Sequence, residues 1–167
     1  MDKTLKIWLV KYDIQYVLHT HPAVFTVPEA KFHCGHIPGT HIKNLFLRNK
    51  KTDEYYLVTI PSEKRLDLKA FRKLIGAPKI RFAPPEALID ILGLTPGAVS
   101  PLGLVNDANH RAVFILEKEL WDAEELCAHP NVNTATLQMK NKYFRKFVKA
   151  TGTEVRLIEM PYIEEIY

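Results

Sequence analysis

The chain has 167 residues, a length that suits one domain. With 47% hydrophobic and 25% charged residues, it is not a disordered chain, a collagen-like repeat or a coiled coil. The formal net charge of +4 is a weak indication by itself, but basic residues are concentrated at positions 64–81 and 140–149. This uneven distribution favours a polyanionic partner.

The cellular location is predicted from what the sequence lacks. Cys34 and Cys127 are too few for the disulfide framework of a small secreted domain. The first residues lack the apolar core and cleavage site of a signal peptide, and no apolar run approaches the ~20 residues of a spanning helix. We therefore expect a cytoplasmic protein with no membrane partner.

The first half of the chain alternates short helices and strands. Apolar residues at helical spacing predict a helix over residues 2–12, followed by a short strand at 16–18. The capping-box pair Thr26 and Glu29, with a proline in the first turn, predicts a helix that breaks near Gly35. Two further strands are expected at 41–48 and 54–60, joined by a polar connection of hairpin length.

The second half continues the same alternation. Helices are expected at 67–75, 84–93 and 140–151, strands at 113–116, 134–139 and 155–158, and a Gly/Pro loop at 95–103. No repeat or linker divides the chain. The pattern predicts a single mixed α/β domain over residues 1–167, with a largely antiparallel central sheet or partial barrel flanked by helices.

Nine basic residues are candidates for contact with nucleic acid. Each of the predicted helices 67–75 and 140–151 carries a basic stripe beside an apolar face, and two lysines lie in the hairpin connection. One such stripe is usually the solvated face of an amphipathic helix, but two stripes favour phosphate contact. The candidates are Lys50, Lys51, Lys69, Arg72, Lys73, Lys142, Arg145, Lys146 and Lys149.

Two local patterns allow other kinds of chemistry. Cys34 and Cys127 each lie close to a histidine, but Cys-x-His spacing fits the common structural zinc sites poorly, so no metal is expected. Ser100 could be a nucleophile, yet it lacks the Gly-x-Ser-x-Gly elbow, which favours a turn serine. The surrounding loop, residues 97–103, could present backbone N–H groups to an oxyanion or serve only as a connection.

Three polar residues occupy unusual positions. Lys43 lies in a strand with apolar neighbours on both faces, which is unfavourable for a charge unless an anion meets it. The alternative is a lysine whose ammonium group extends to solvent. Asn44 points to the other face and needs hydrogen-bond partners. His129 lies in a polar turn, where it could act as an acid or base, contact a phosphate or cap the turn.

Taken together, these segments resemble the bacterial prolyl-tRNA editing proteins of the YbaK/aminoacyl-tRNA-synthetase-associated superfamily. The most specific segments are Lys43-Asn44-Leu45-Phe46-Leu47 and the Pro-Gly loop. The matching stretches are residues 21–26, 39–47, 92–104, 106–107, 129–136 and 151–152, in the family's order across nearly the whole chain. Asn49 and Thr153-Glu154 depart from the family pattern, which leaves the fine substrate or tRNA preference open.

The resemblance implies an editing-domain fold and hydrolysis of the ester between a wrong amino acid and tRNA(Pro). Lys43-Asn44 is most similar to the free-standing alanyl-tRNA(Pro) deacylases. Alanine is therefore the expected amino acid, with Cys-tRNA(Pro) as the rival substrate and a non-catalytic tRNA-binding module as the alternative. The implied partners are the tRNA(Pro) acceptor end and prolyl-tRNA synthetase, and no cofactor is implied.

The resemblance also implies roles for individual residues. Lys43 would anchor the phosphate or ribose of the terminal adenosine, His129 would orient the ribose or water, and loop N–H groups would surround the scissile carbonyl. The implied catalytic residues are Lys43, Asn44, His129, Gly97, Ser100, Pro101 and Gly103. The implied substrate-binding residues are Phe25, Thr26, Phe46, Val99 and Asn133.

Overall fold

The structure, a computed structural model, describes residues 1–164, which form one eight-stranded sheet with six α-helices and a 3₁₀-helix packed around it. The strands are β1 (Val17–Thr20), β2 (Thr40–Asn49), β3 (Tyr55–Pro61), β4 (Ile80–Phe82), β5 (Ala112–Glu117), β6 (Glu125–Ala128), β7 (Ala135–Lys140) and β8 (Val155–Ile158). The helices are α1 (Lys3–Lys11), α2 (Val27–Cys34), α3 (Leu68–Leu74), α4 (Pro85–Leu92), the 3₁₀-helix (Pro101–Asn106), α5 (Lys118–Asp122) and α6 (Asn141–Thr151).

The long strand β2 organises the sheet, whose order is β1-β7-β6-β2-β3-β5-β8. The beginning of β2 pairs with β6, its end pairs with β4, and the hairpin to β3 aligns Asn44 with Thr59. The mixed α/β prediction is confirmed, but the sheet is less antiparallel than expected. The pairs β2–β6, β3–β5 and β5–β8 are parallel, because helices inserted between the strands carry the chain back across the sheet.

Alternation along β2 separates two apolar cores. Phe46 packs into a core shared with α1, α4 and α6, whereas Leu47 packs into a second core that includes Phe71 of α3. Successive strand residues point to opposite faces, so a single strand supplies both cores. No helix within residues 1–164 is long and apolar enough to span a bilayer.

Most of the predicted elements are present within one or two residues of the expected bounds. The Thr26 capping box is formed, since its side chain accepts from the Glu29 N–H and the Glu29 carboxylate accepts from the Thr26 N–H. The expected loop at 95–103 is partly wrong, because Pro101–Asn106 form a 3₁₀-helix that Ser100 caps by accepting from the Leu102 N–H.

Candidate functional site

A cavity of about 920 Å³ opens beside the first half of β2. Its walls come from the segment that leads into α2, from α2 itself, from the end of β3, from the loop after α4, and from α5 and the end of β6. The predicted site residues that line it are Phe25, Thr26, Lys43, Asn44, Gly97, Val99 and His129. The fold therefore brings together residues that are as far apart in sequence as 25 and 129.

The cavity has two chemically different ends. Cys34, Cys127, Ala128 and Thr136 are almost completely buried, and these small, mainly apolar side chains form the inner wall. The exposed lining residues form the open end, which carries an aromatic ring that is 70% exposed (Phe25), two lysines and two carboxylates (Lys31, Lys64, Glu63 and Glu119). An anion or a nucleobase would suit the open end, and a small apolar group would suit the inner wall.

Lys43 occupies the wall of this cavity, half-buried on β2 and aligned with Ile60 of β3. It precedes Leu45 and Leu47 on the same face of the strand, and both leucines belong to the second core. The lysine is thus held at the point where the apolar face of β2 gives way to a cavity. A cation in this position can bind a phosphate or a ribose hydroxyl.

Asn44 ties β2 to the loop on the opposite side of the cavity. Its Nδ2 donates to the Val99 carbonyl at 3.0 Å, and its Oδ1 accepts from the Thr59 hydroxyl at 2.6 Å. These bonds satisfy both ends of the amide. They answer the sequence-based expectation that Asn44 needs partners, and they fix the position of Val99 in the cavity wall.

A second asparagine holds the segment around Phe25, which lies beside Gly97 at the edge of the cavity. Asn133 makes two hydrogen bonds with Val24. Its side-chain Nδ2 donates to the Val24 carbonyl at 3.0 Å, and its main-chain carbonyl accepts from the Val24 N–H at 3.1 Å. This pairing places Phe25 against Gly97, whose φ is +87°. A Cβ at Gly97 would make an ordinary contact with the Phe25 ring at 3.4 Å, so it is the backbone conformation that favours glycine here.

His129 lies at the end of β6 with a defined tautomer. Its Nδ1 is 3.3 Å from the Ala135 carbonyl. Since a carbonyl can only accept, Nδ1 carries the proton and Nε2 is left as an acceptor. Burial lowers the pKa of His129 below 6.5, and the charge of His21 adds to this effect against the opposing Ala135 bond. The imidazole is therefore neutral at pH 7.

The two cysteines lie in the inner wall with protonated thiols. Burial raises the pKa of both groups, in Cys127 to about 12. The Cys127 thiol donates to the Pro38 carbonyl, and the His41 imidazole is 2.9 Å from the Ile37 carbonyl. In the part of the chain that the structure describes, no three His, Cys, Asp or Glu side chains come together as a metal site.

Several predicted site residues lie outside the described cavity wall. Ser100 is fully buried as the cap of the 3₁₀-helix, and Pro101 and Gly103 are buried within that helix. The Gly103 N–H donates to the Ser100 carbonyl, so a ring of donors over the whole loop is not formed. Phe46 is in the first core, stacked on Tyr55, and Asn133 acts behind the wall through Val24. The direct contact with substrate that the sequence analysis expects of these residues stays a prediction.

The nine predicted tRNA contacts are not in the cavity wall either, and several of them have partners elsewhere, among them Lys146, whose Nζ donates to the Asp13 carbonyl. Arg72 donates to the Ile80 carbonyl, and Arg145 bonds the Trp121 carbonyl and pairs with Asp122. The cavity instead has two exposed lysines that the sequence analysis missed, Lys31 and Lys64. Each is a single charge outside the two basic stripes. Lys31 lies on α2 and Lys64 follows β3, and the fold brings both to the same cavity.

The sequence matches the family model described as the aminoacyl-tRNA editing domain over residues 21–147. It is 35% identical over 147 residues to the prolyl-tRNA editing protein ProX of Acetoanaerobium sticklandii, covering 88% of this chain and 90% of the relative. It is 34% identical to the prolyl-tRNA synthetase associated domain-containing protein 1 of Xenopus laevis, covering 95% and 96%.

Solved structures share the fold. The crystal structure of a proposed trans-editing enzyme for prolyl tRNA synthetase superposes with a TM-score of 0.69 at 23% identity, covering 99% of both chains. That of the hypothetical protein APE2540 superposes with a TM-score of 0.70 at 23% identity, covering 93% of this chain and 98% of that chain.

Proposed function

The chain belongs to the aminoacyl-tRNA editing domain family, and from this premise we propose that it is a deacylase that hydrolyses mischarged tRNA(Pro), with Ala-tRNA(Pro) as its substrate. The observation that carries the proposal is that Lys43, Asn44, Val99 and His129 line the same cavity. These residues come from three separate segments, and their types suit an anionic, ribose-bearing ester. The sequence resemblance to prolyl-tRNA editing proteins points to the same substrate class.

The need for such a site follows from the chemistry of proline selection. A synthetic pocket shaped for proline cannot strongly reject a smaller amino acid, because each missing methylene changes the binding energy by only ~1–3 kcal/mol. A second site can remove the error if it accepts alanine and is too small for the pyrrolidine ring. The whole cavity is too large to discriminate by volume, at about 920 Å³. We therefore assign the discrimination between alanine and proline to the inner wall around Cys127 and Ala128.

The reaction is the addition of water to the ester carbonyl. The carbon–oxygen bond to the ribose then breaks, and the released ribose oxygen takes up a proton, so that the products are free alanine and tRNA(Pro). In this proposal Lys43 binds the terminal phosphate or ribose at the mouth of the cavity. Neutral His129 accepts a hydrogen bond from the water or the ribose hydroxyl, and the Gly97–Val99 backbone faces the developing oxyanion.

The proposed partner outside the cavity is the acceptor stem of tRNA(Pro). The exposed basic residues of α6 and the Lys31/Lys64 pair at the opening supply charge for its phosphates. A cytoplasmic location and an association with prolyl-tRNA synthetase belong to the same proposal, because the relatives that it matches are described by association with that enzyme.

The experiment is a single-turnover deacylation assay with tRNA(Pro) charged with labelled alanine, cysteine or proline. We expect rapid release of alanine and release of proline no faster than in buffer. Preferential release of cysteine would replace alanine by cysteine as the substrate. Alanine release equal to that in buffer would refute the proposal, and tight tRNA binding without cleavage would identify a non-catalytic binding module.

A further inference from the structure

Thr59 is a buried polar residue that lies one step behind the cavity. It sits on β3, directly across from Asn44 in the β2–β3 hairpin, and none of its surface is exposed. It does not line the cavity wall. Its hydroxyl is nevertheless joined to that wall, because it donates to Asn44 Oδ1 at 2.6 Å. A substrate in the cavity would therefore reach Thr59 only through Asn44.

The direction of these hydrogen bonds fixes the Asn44 amide. Oδ1 accepts from Thr59, so the NH₂ group must face the other way, and it donates to the Val99 carbonyl at 3.0 Å. An amide turned by 180° would set two oxygens against each other at Val99, whereas its NH₂ group could still donate to the Thr59 hydroxyl, which both donates and accepts. The Val99 carbonyl therefore selects the orientation of the amide, and the hydrogen bond from Thr59 anchors the Asn44 side chain in that orientation.

The loop held by this bond forms part of the edge of the cavity. Val99 and Gly97 both line the wall, and Gly97 lies against the Phe25 ring. Within the loop, the Ala98 N–H donates to the Thr95 carbonyl at 3.1 Å, which closes a turn. The bond from Asn44 joins this turn to β2, so it helps to set the distance between the turn and Lys43.

We propose that Thr59 is a positioning residue for deacylation, which acts through Asn44 to hold residues 97–99 at the spacing that the amino-acid end of the substrate requires. This inference rests on the proposed function for its kinetic consequence. It assigns to a core residue on β3 a role in rate and in amino-acid selection. A purely structural Thr59 would affect the stability of the fold and leave both of these unchanged.

The test compares Thr59→Val, which replaces the hydroxyl by a methyl group, with Thr59→Ser, which keeps it. Loss of a hydrogen bond that orients the loop should lower kcat for Ala-tRNA(Pro) by about 3- to 10-fold. KM should change by less than about 2-fold, since the buried Thr59 touches no part of the tRNA, and the preference for alanine over proline should fall. Thr59→Ser should restore kcat. The exposed Thr4→Val on α1 is the matched control.

A double-mutant cycle separates the relay from a general packing defect. In an Asn44→Ala background, Thr59→Val should cause no further fall in kcat, because the residue through which it acts is gone. Wild-type kcat in Thr59→Val would overturn the proposal. So would a Thr59→Ser variant that is as slow as Thr59→Val, or losses that multiply in the double variant.

An NMR measurement keeps the inference separate from the proposed function. Thr59→Val should shift the Asn44 side-chain NH₂ signals and the backbone amides of residues 97–99, with Thr59→Ser and Thr4→Val close to the wild type. Unchanged Asn44 signals would overturn the relay whatever the kinetics. If the wild-type protein cleaves none of the aminoacyl esters, the proposed function fails, and the NMR result still decides whether Thr59 positions the loop.

Discussion

Replacement of Lys43 by alanine should remove most of the deacylase activity and leave the fold intact. The lysine is half-buried in the cavity wall, so its interaction with a substrate phosphate is screened less than at an exposed site and is not fully dehydrated. A charge-assisted hydrogen bond in such a setting contributes about 1.5–3 kcal/mol. Since 1.4 kcal/mol corresponds to a factor of ten, kcat/KM for Ala-tRNA(Pro) should fall about 10- to 150-fold.

The assay is steady-state alanine release at fixed ionic strength, with thermal unfolding monitored by circular dichroism. Lys6→Ala on the exposed side of α1 removes the same charge away from the cavity and should stay within about 2-fold of the wild type. Lys43→Arg should retain part of the activity, because the charge remains but the planar guanidinium has another shape. If Lys43→Ala is folded and as active as Lys6→Ala, the Lys43 ammonium group is merely solvated and does not bind the substrate. The assigned role is then refuted.

Three further predictions concern titration, charge and stability. Because burial lowers the pKa of His129, kcat/KM should be level above pH 6.5 and fall only below it, and an NMR titration of the ring that gives 6.5 or higher would contradict this. His129 should also reduce the free energy of unfolding as pH falls below 6.5, since the unfolded chain then binds the proton more readily. Alanine at all four basic positions of α6 should weaken tRNA binding and flatten its salt dependence, measured by filter binding from 50 to 200 mM NaCl, whereas an unchanged slope would place the stem elsewhere. Tyr162→Phe removes a hydrogen bond to buried Glu117 and should lower the free energy of unfolding by about 1.5–3 kcal/mol in urea titrations, and wild-type stability would refute this.

Local sequence signals were sufficient for most of the individual elements. The Thr26/Glu29 pair formed the capping box that its spacing predicts, and α4 begins after Pro84 and ends at Gly93, whose φ is +64°. Such caps depend on a few adjacent residues, so they can be read without knowledge of the fold. The strands β4 and β6 and the helix α5 were missed. Elements of three to five residues give little periodic signal, and the equally short β1 and β8 were recognised from their apolar, β-branched residues.

The pairing of the strands was harder to predict than their existence. Hairpins are local, and β2–β3 was expected from its short polar connection. The parallel pair β3–β5 joins strands separated by α3, β4 and α4, and nothing in the sequence of either strand marks it. Pairing of this kind is decided by how the helices cover the sheet, which is a property of the whole domain.

For the site residues, too, local signals were predictive and long-range arrangement was not. Lys43 was selected because a charge in an apolar strand is costly, and it does line the cavity. Ser100 and Phe46 were carried by the family pattern, and the structure uses them as a helix cap and as a core residue. Thr59 gave no signal, because an isolated threonine in a strand is ordinary and only the register with Asn44 reveals its role.

The most direct test of the whole account is a crystal structure with a non-hydrolysable substrate end, an adenosine that carries alanine through a 3′-amide. The account predicts that the analogue lies in the cavity beside β2, with its alanyl methyl group at the inner wall near Cys127 and its ribose between Lys43 and His129. An analogue bound on the basic face of α6, or anywhere else outside this cavity, would contradict the central claim that the cavity holds the ester.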